Sequence, residues 1–485
     1  MKIKYNYTMM CDFYELTMAN GYFVSGLKDQ ISYFDGFYRT TPDNGGYTIC
    51  AGLEQVIDYI NDLHFDEEDI EYLRGKGIFD AGFLEYLKNF KFSGSIWAIP
   101  EGTPVFPYEP IITVKANAIE AQLIETYVLS ELNHQTLIAT KAARIVKAAE
   151  GRLVSEFGAR RAHGAEAATL GARAAYIAGC ASTSCTLTDL TYHAPASGTM
   201  AHSWVQMFGS EYEAFVKYCE IYPSAALLLV DTYDVIKSGI PNAIKAFNNI
   251  LKPLGKRPLG IRIDSGDIAY LTKKVRKMLD EAGYEDAKIF VSNSLDEYLI
   301  HQLLYQGAKI DAFGVGERLI TSKSDPVLDG VYKLAAIEEN GIIIPKIKVS
   351  ENIEKITNPC YKRVYRLYDK DTKKAEADYI AVYDEDVLSQ TELKLFDPHA
   401  TWKTKIFDNV YIKELQVPIF LKGVQVYKTP DIQEIREYCA EQISLLWDEV
   451  KRFEHPHNYY VDLSDKLWKI RNDLVLANRN TTFYK

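Results

Sequence analysis

Between about residue 150 and residue 335 one pattern repeats: a short apolar run, a polar turn, then a stretch whose apolar positions recur at helical spacing. Residues 227–230 form an apolar run of strand length that ends in Asp231-Thr-Tyr-Asp234. A helix is predicted to open at Pro241, a residue suited to a first helical turn, and to run to about Leu251. Residues 259–263 are the next strand, followed by a helix over 268–282 that Gly283 stops. Residues 288–291 are another strand, ending in Ser292-Asn-Ser294. Asp296 and Glu297 then open a helix that closes near Gly307, and 310–315 is the last strand of the series. Strands recurring about every 25 to 30 residues fit consecutive βαβ units.

Each of these strands ends in polar or glycine-rich residues, which is how an α/β barrel with an active site on one rim would read. A doubly wound open sheet also places ligands at strand ends, so both architectures remain open here. The flanks differ. Residues 1 to about 130 carry more aromatics and turns, such as Thr41-Pro-Asp-Asn-Gly-Gly46. The alternating segments 341–348, 361–369 and 379–383 read as antiparallel strands, and the remainder towards residue 485 as mostly helical, 432–453 most clearly.

With 485 residues the chain is long enough for two or three domains. A composition of 47% hydrophobic and 25% charged residues is that of an ordinary globular protein. No apolar run approaches the roughly 20 residues of a membrane span, and the N-terminus has no signal-peptide core. The balance of 55 basic against 66 acidic residues, a formal charge of −11, argues against a general nucleic-acid binder. The 7 cysteines are scattered, without disulfide or zinc spacing, which points to the reducing cytoplasm. Cys180 and Cys185 near His193 read better as buried thiols than as metal ligands.

The octapeptide Gly260-Ile-Arg-Ile-Asp-Ser-Gly-Asp267 is the most informative part of the chain. It places an arginine inside a buried strand and two carboxylates around a turn at the strand's carboxyl end. A guanidinium is rarely buried unpaired, so Arg262, Asp264 and Asp267 suit an anionic, hydroxyl-rich ligand; the plainer reading is a structural ion pair. Glu156-Phe-Gly-Ala-Arg160-Arg161 closes another predicted strand, where alternation would turn only one arginine towards a ligand. Ser197-Gly-Thr199-Met-Ala-His202 is a loop entering a helix, and His202 could act as acid, base or phosphoryl acceptor. Phe313-Gly314-Val-Gly316-Glu317 offers glycines where backbone could approach a phosphate. Tyr14, in Asp12-Phe-Tyr-Glu-Leu-Thr-Met18 at a helix start, is a stacking aromatic or a core residue.

Taken together, these motifs closely resemble the nicotinate phosphoribosyltransferase family of type II phosphoribosyltransferases. The resemblance rests on 12–18, 156–162, 198–204, 229–234, 260–267 and 313–316 with 330–334, in the family's order and spacing. It implies an irregular α/β barrel over about 131–335. A second α/β sandwich domain would be formed by 1–130 and 336–485, and the protein would be a homodimer with shared active sites. It implies transfer from phosphoribosyl pyrophosphate to nicotinate, with Mg²⁺, coupled to ATP through a phosphohistidine at His202. Asp264 would hold the ribose diol, Arg262 the anionic substrate and Arg160 a phosphate, while Gly314 and Gly316 would cradle the 5′-phosphate. Phe157 and Tyr14, the latter from the other subunit, would sandwich the pyridine ring. Thr199 would contact nicotinate, and Ser292 and Asn293 complete the substrate-binding set. Asp231 or Glu317 is the candidate Mg²⁺ ligand.

Nicotinamide-using relatives carry an aspartate where this chain has Ser184, and a carboxylate there would repel nicotinate. The acid is therefore the expected substrate. Glu317 departs from the family's pattern beside the phosphate site and is expected to turn away or to help bind Mg²⁺. The alternatives are a nicotinamide phosphoribosyltransferase, a quinolinate phosphoribosyltransferase, an unrelated sugar-phosphate barrel enzyme, or a nucleotide-binding regulator without catalysis.

Overall fold

The computed structural model describes residues 6–398 and 400–482, and it divides into two compact units. One is continuous, Ile138–Pro326; the other joins both chain ends, up to Leu137 and from Val327 onward.

The continuous unit is built on six parallel strands: β1 Leu153–Glu156, β2 Ser182–Thr183, β3 Leu227–Leu229, β4 Gly260–Ile263, β5 Lys288–Ser292 and β6 Ala312–Val315. Their order in the sheet is β2-β1-β6-β5-β4-β3. That is chain order wrapped into a cycle, because β1 pairs with β6, with one seam between β2 and β3. No ladder closes this seam among the described residues. Instead the segment after β2 folds back: Thr183 bridges Ala196 in parallel, and the Ser197 N–H donates to the Thr183 carbonyl at 2.8 Å. The strands read as continuous apolar runs because parallel strands are covered on both faces.

Helices alternate with the strands, and their caps explain their starts. Asp267 accepts from the Tyr270 N–H to start Ile268–Glu281, whose buried Ile268, Thr272, Val275 and Leu279 share one face. Asp296 does the same for Glu297–Tyr305. The helix expected from Pro241 begins earlier, at Val235, where the Asp234 carboxylate accepts from the Ile236 and Lys237 N–H groups. The first turn is π-helical, with the Gly239 N–H bonded to the Asp234 carbonyl, so the N–H that Pro241 lacks is passed over by wider turns.

The second unit carries a seven-stranded antiparallel sheet. Its order is Ile342–Pro345, Gly330–Glu339, Ile31–Tyr38, Ile112–Asn117, Ser95–Ala98, Val417–Leu421 and Val424–Gln425. A four-stranded sheet contains Lys362–Asp369 and Ala375–Val382 at its centre. The helix expected over 432–453 ends at Leu445. Leu446 and Val450 turn instead into a core with Phe106, Tyr368 and Ala375, burial that a continued helix would forfeit. Among the described residues no helix is long and apolar enough to cross a membrane.

Candidate active site

Strand register sets the site. Leu229 of β3 pairs with Arg262 of β4, and Arg262 with Phe290 of β5. Two residues further along each strand, Asp231, Asp264 and Ser292 therefore arrive at one level, and Ser292 continues the row to Gly314 of β6. Residues about 30 positions apart in the chain meet because parallel strands deliver their carboxyl ends side by side.

These side chains form one network. Ser292 donates its hydroxyl to Asp264 Oδ1 and accepts from Arg262 Nε at 3.0 Å. Arg262 Nη2 reaches the same Asp264 oxygen at 3.4 Å, while Nη1 donates to the Thr199 hydroxyl and, at 3.2 Å, to the Met200 carbonyl. Thr199 and Met200 belong to the segment that fills the seam, so that loop is pinned to β4 through a guanidinium. Asp231 clamps the turn after β4: its Oδ2 accepts from the Asp264 N–H at 3.0 Å and the Ser265 hydroxyl at 2.6 Å. Its Oδ1 is buried and has no hydrogen-bond partner.

His202 opens the short helix His202–Gln206. Its Nδ1 lies 3.1 Å from the Thr232 hydroxyl and its Nε2 3.9 Å from Asp264 Oδ2. The ring is 40% exposed, so a ligand can reach it. Fixing Nδ1 on a hydroxyl orients the ring and leaves Nε2 facing the carboxylate.

The β1 side of the rim is organised by Glu156, a buried carboxylate not anticipated from the sequence. It accepts from the Gly158 N–H and, at 2.7 Å, from the Thr183 hydroxyl. Burial pushes its pKa up, against those two bonds. The Ser184 N–H donates to the Glu156 carbonyl at 2.8 Å, leaving the Ser184 side chain exposed. Phe157 stacks on Phe290 with ring centroids 5.9 Å apart and lies over Gly314, where a Cβ would come within 2.6 Å of the Phe157 ring. Gly314 is thus glycine because an aromatic ring covers it.

Arg160 and Arg161 do not alternate along a strand. β1 ends at Glu156, and both arginines sit exposed on a 3-10 turn, Ala159–Arg161, since Gly158 breaks the extended run. Asn293 is exposed after β5 with φ 109°. Gly316 precedes the helix Glu317–Ile320. The Glu317 carboxylate pairs with Lys323 at 2.9 Å, which lowers its pKa. Tyr14 lies in the other unit, on the helix Phe13–Val24, 44% exposed. Thr232 was legible only as part of a polar strand end, and Asp231 as that and a candidate Mg²⁺ ligand; their partners come from the fold.

Comparisons with known proteins agree along most of the chain. The nicotinate phosphoribosyltransferase N-terminal domain matches residues 9–133, the nicotinate phosphoribosyltransferase family 153–370 and the C-terminal domain 361–471. Nicotinate phosphoribosyltransferase of Bacillus subtilis (strain 168) is 46% identical over 459 residues, covering 94% of this chain and 93% of the relative. The Caenorhabditis elegans enzyme of that name is 32% identical, covering 97% and 93%. The crystal structure of human nicotinic acid phosphoribosyltransferase superposes with a TM-score of 0.83 at 26% identity, over 96% of this chain and 100% of that one. Nicotinate-nucleotide pyrophosphorylase from Pyrococcus furiosus shares the fold, with a TM-score of 0.71 at 24% identity, over 92% of this chain and 98% of that one. The chain belongs to the nicotinate phosphoribosyltransferase family.

Proposed function

We propose that this rim transfers phosphoribosyl from phosphoribosyl pyrophosphate to nicotinate, as the first step of NAD synthesis from nicotinate, and couples the transfer to ATP hydrolysis through His202. The observation that carries the reading is the convergence of Arg262, Asp264, Ser292 and His202 on one rim. The pyridine nitrogen attacks ribose C1 and the C1–O bond breaks, its electron pair leaving with pyrophosphate. Positive charge develops on the ribose, so the half-exposed Asp264 carboxylate is placed to hold the ribose hydroxyls and stabilise that charge. Arg262 has one Nη2 hydrogen unused and a guanidinium plane suited to a carboxylate or phosphate. Phe157 supplies one face for the pyridine ring, and Tyr14 of a second copy the other, in a homodimer with shared sites.

His202, with Nδ1–H directed at Thr232, attacks the γ-phosphorus of ATP through Nε2 and releases ADP. Water later breaks the P–N bond, giving phosphate and restoring the ring. Asp231 and Asp264 suit Mg²⁺, which typically takes only one or two carboxylates beside phosphate oxygens and water; the unpartnered Oδ1 of Asp231 is an acceptor in want of a cation or donor. When bound, the ion would neutralise pyrophosphate charge. Seven cysteines without a disulfide fit a reducing cytoplasm.

The test is product formation with phosphoribosyl pyrophosphate and Mg²⁺, offering nicotinate and nicotinamide in parallel, with and without ATP. Nicotinate mononucleotide, boosted by ATP, is expected. His202→Ala should keep basal transfer and lose the ATP stimulation; unchanged stimulation would remove the phosphohistidine assignment. Product from nicotinamide alone would mean that Ser184 does not select for the acid.

A further inference from the structure

The unit built from both chain ends contains a cavity of about 1070 Å³ that the rim chemistry does not use. Arg471 lines it, only 9% exposed, with Nε sealed from solvent and no hydrogen-bond partner. No described carboxylate pairs with it, and burial lowers its pKa. A guanidinium does not shed its proton in a protein, so this cation is held inside the fold without an anion. Asp462 lines the same cavity, 6% exposed, with no hydrogen bond to its carboxyl group. The two are not paired with each other. The cavity therefore offers one buried cation in want of an acceptor and one buried carboxyl in want of a donor.

The wall adds Lys403, a second cation, and Tyr460, whose ring stands edge-on to His457 at 5.8 Å and is 43% exposed. A planar fork on Arg471 with a further cation suits a multiply charged anion, and phosphate takes a guanidinium bidentately. A free carboxyl suits a hydroxyl donor, and the volume is that of a site for a whole small molecule. We propose that this cavity is a second ligand site, for a hydroxyl-bearing phosphate ester, with the phosphate on Arg471 and a hydroxyl on Asp462. The site stands whatever the outcome at His202 and Asp264.

Calorimetric titration of the full chain with ribose 5-phosphate and with AMP tests it. Both probes carry a phosphate that the proposed rim site would take, so the background is Arg262→Ala, chosen to weaken that site. This protein is expected to bind ribose 5-phosphate saturably, and adding Arg471→Met should weaken binding by roughly tenfold or more, as loss of a charged hydrogen bond predicts. AMP binding more tightly than ribose 5-phosphate would assign a nucleotide; equal binding would assign a sugar phosphate. Arg471→Met alone should melt no lower than the parent and keep full transferase activity, because an unpaired buried cation is replaced by an apolar side chain. A strongly destabilised Arg471→Met would show that the guanidinium has a protein partner and would overturn the site. So would absent binding in the Arg262→Ala background, binding unchanged by Arg471→Met, or inorganic phosphate binding as tightly as the esters. Asp462→Asn separates the hydroxyl contact, and is expected to weaken the esters while leaving inorganic phosphate unaffected.

Discussion

Arg262 and Arg366 are both strand arginines, one in each unit, and each faces an aspartate. Arg366 lies on Lys362–Asp369, 1% exposed, and grips Asp378 with two bonds of 2.7 and 2.6 Å. Its remaining reach goes to the Pro104 carbonyl, and Tyr459 donates to the same aspartate at 3.0 Å. Glu109 completes the group: burial and then the neighbouring Asp378 push its pKa well up, against the pull of Arg366. Arg262 is looser. Its bond to Asp264 is 3.4 Å, and that carboxylate is 35% exposed. Its better contacts go to a serine, a threonine and a loop carbonyl. The pair joined by two short bonds with water excluded holds a sheet together; the pair left long and half-open at the strand ends is the one with room to exchange partners.

The comparison breaks most visibly through stability. Asp378→Ala leaves Arg366 buried without its anion and should cost about 3–5 kcal/mol of unfolding free energy, read as a shift in the urea midpoint. A loss under about 1 kcal/mol would put this pair in the class of surface bridges and erase the contrast. Asp264→Asn should act the other way. With ribose hydroxyls and developing positive charge losing their carboxylate, kcat/KM is expected to fall on the order of 10²–10³-fold. The melting temperature should barely move. A drop in stability matching that of Asp378→Ala would make Asp264 structural.

Only the Arg262 side of this contrast was legible in the sequence, and the limits have physical causes. The parallel sheet showed because βαβ units repeat apolar runs with polar ends, and Gly260 to Asp267 showed because a strand arginine is costly. The wrapped strand order with its seam did not show, since pairing of β1 with β6 is a long-range choice. Asp234 displaced Pro241 as the helix start because a carboxylate bonded to two N–H groups outweighs a favourable first-turn residue. The helix end at Leu445 was set by a core formed with Phe106, hundreds of residues away. Thr232, which meets His202, and Glu156, which holds the Gly158 and Ser184 N–H groups, stand in motifs that do not say whom they will meet.

Glu15 sharpens the comparison with the smallest effect, because it is a buried carboxylate given neither an arginine nor water. It is fully buried on the helix Phe13–Val24, and Oε1 accepts from the Thr126 hydroxyl and, at 3.1 Å, the Thr126 N–H. Oε2 has no partner. Burial pushes its pKa from 4.5 up to about 7, against the Thr126 bond and with help from Glu125 and Asp12. Between those two values the folded chain keeps a proton that the unfolded chain has released. Stability attributable to Glu15 is therefore present below the lower value, falls as pH rises through the window and is flat above it, by on the order of 1–3 kcal/mol in all. Glu15→Gln keeps the shape and cannot ionise, so its urea midpoint should decline less than the parent's between pH 5 and 7.5. Equal declines in the two proteins would mean that Oε2 finds a donor when it ionises. Glu15 would then belong with Asp378, as a carboxylate whose charge the fold satisfies.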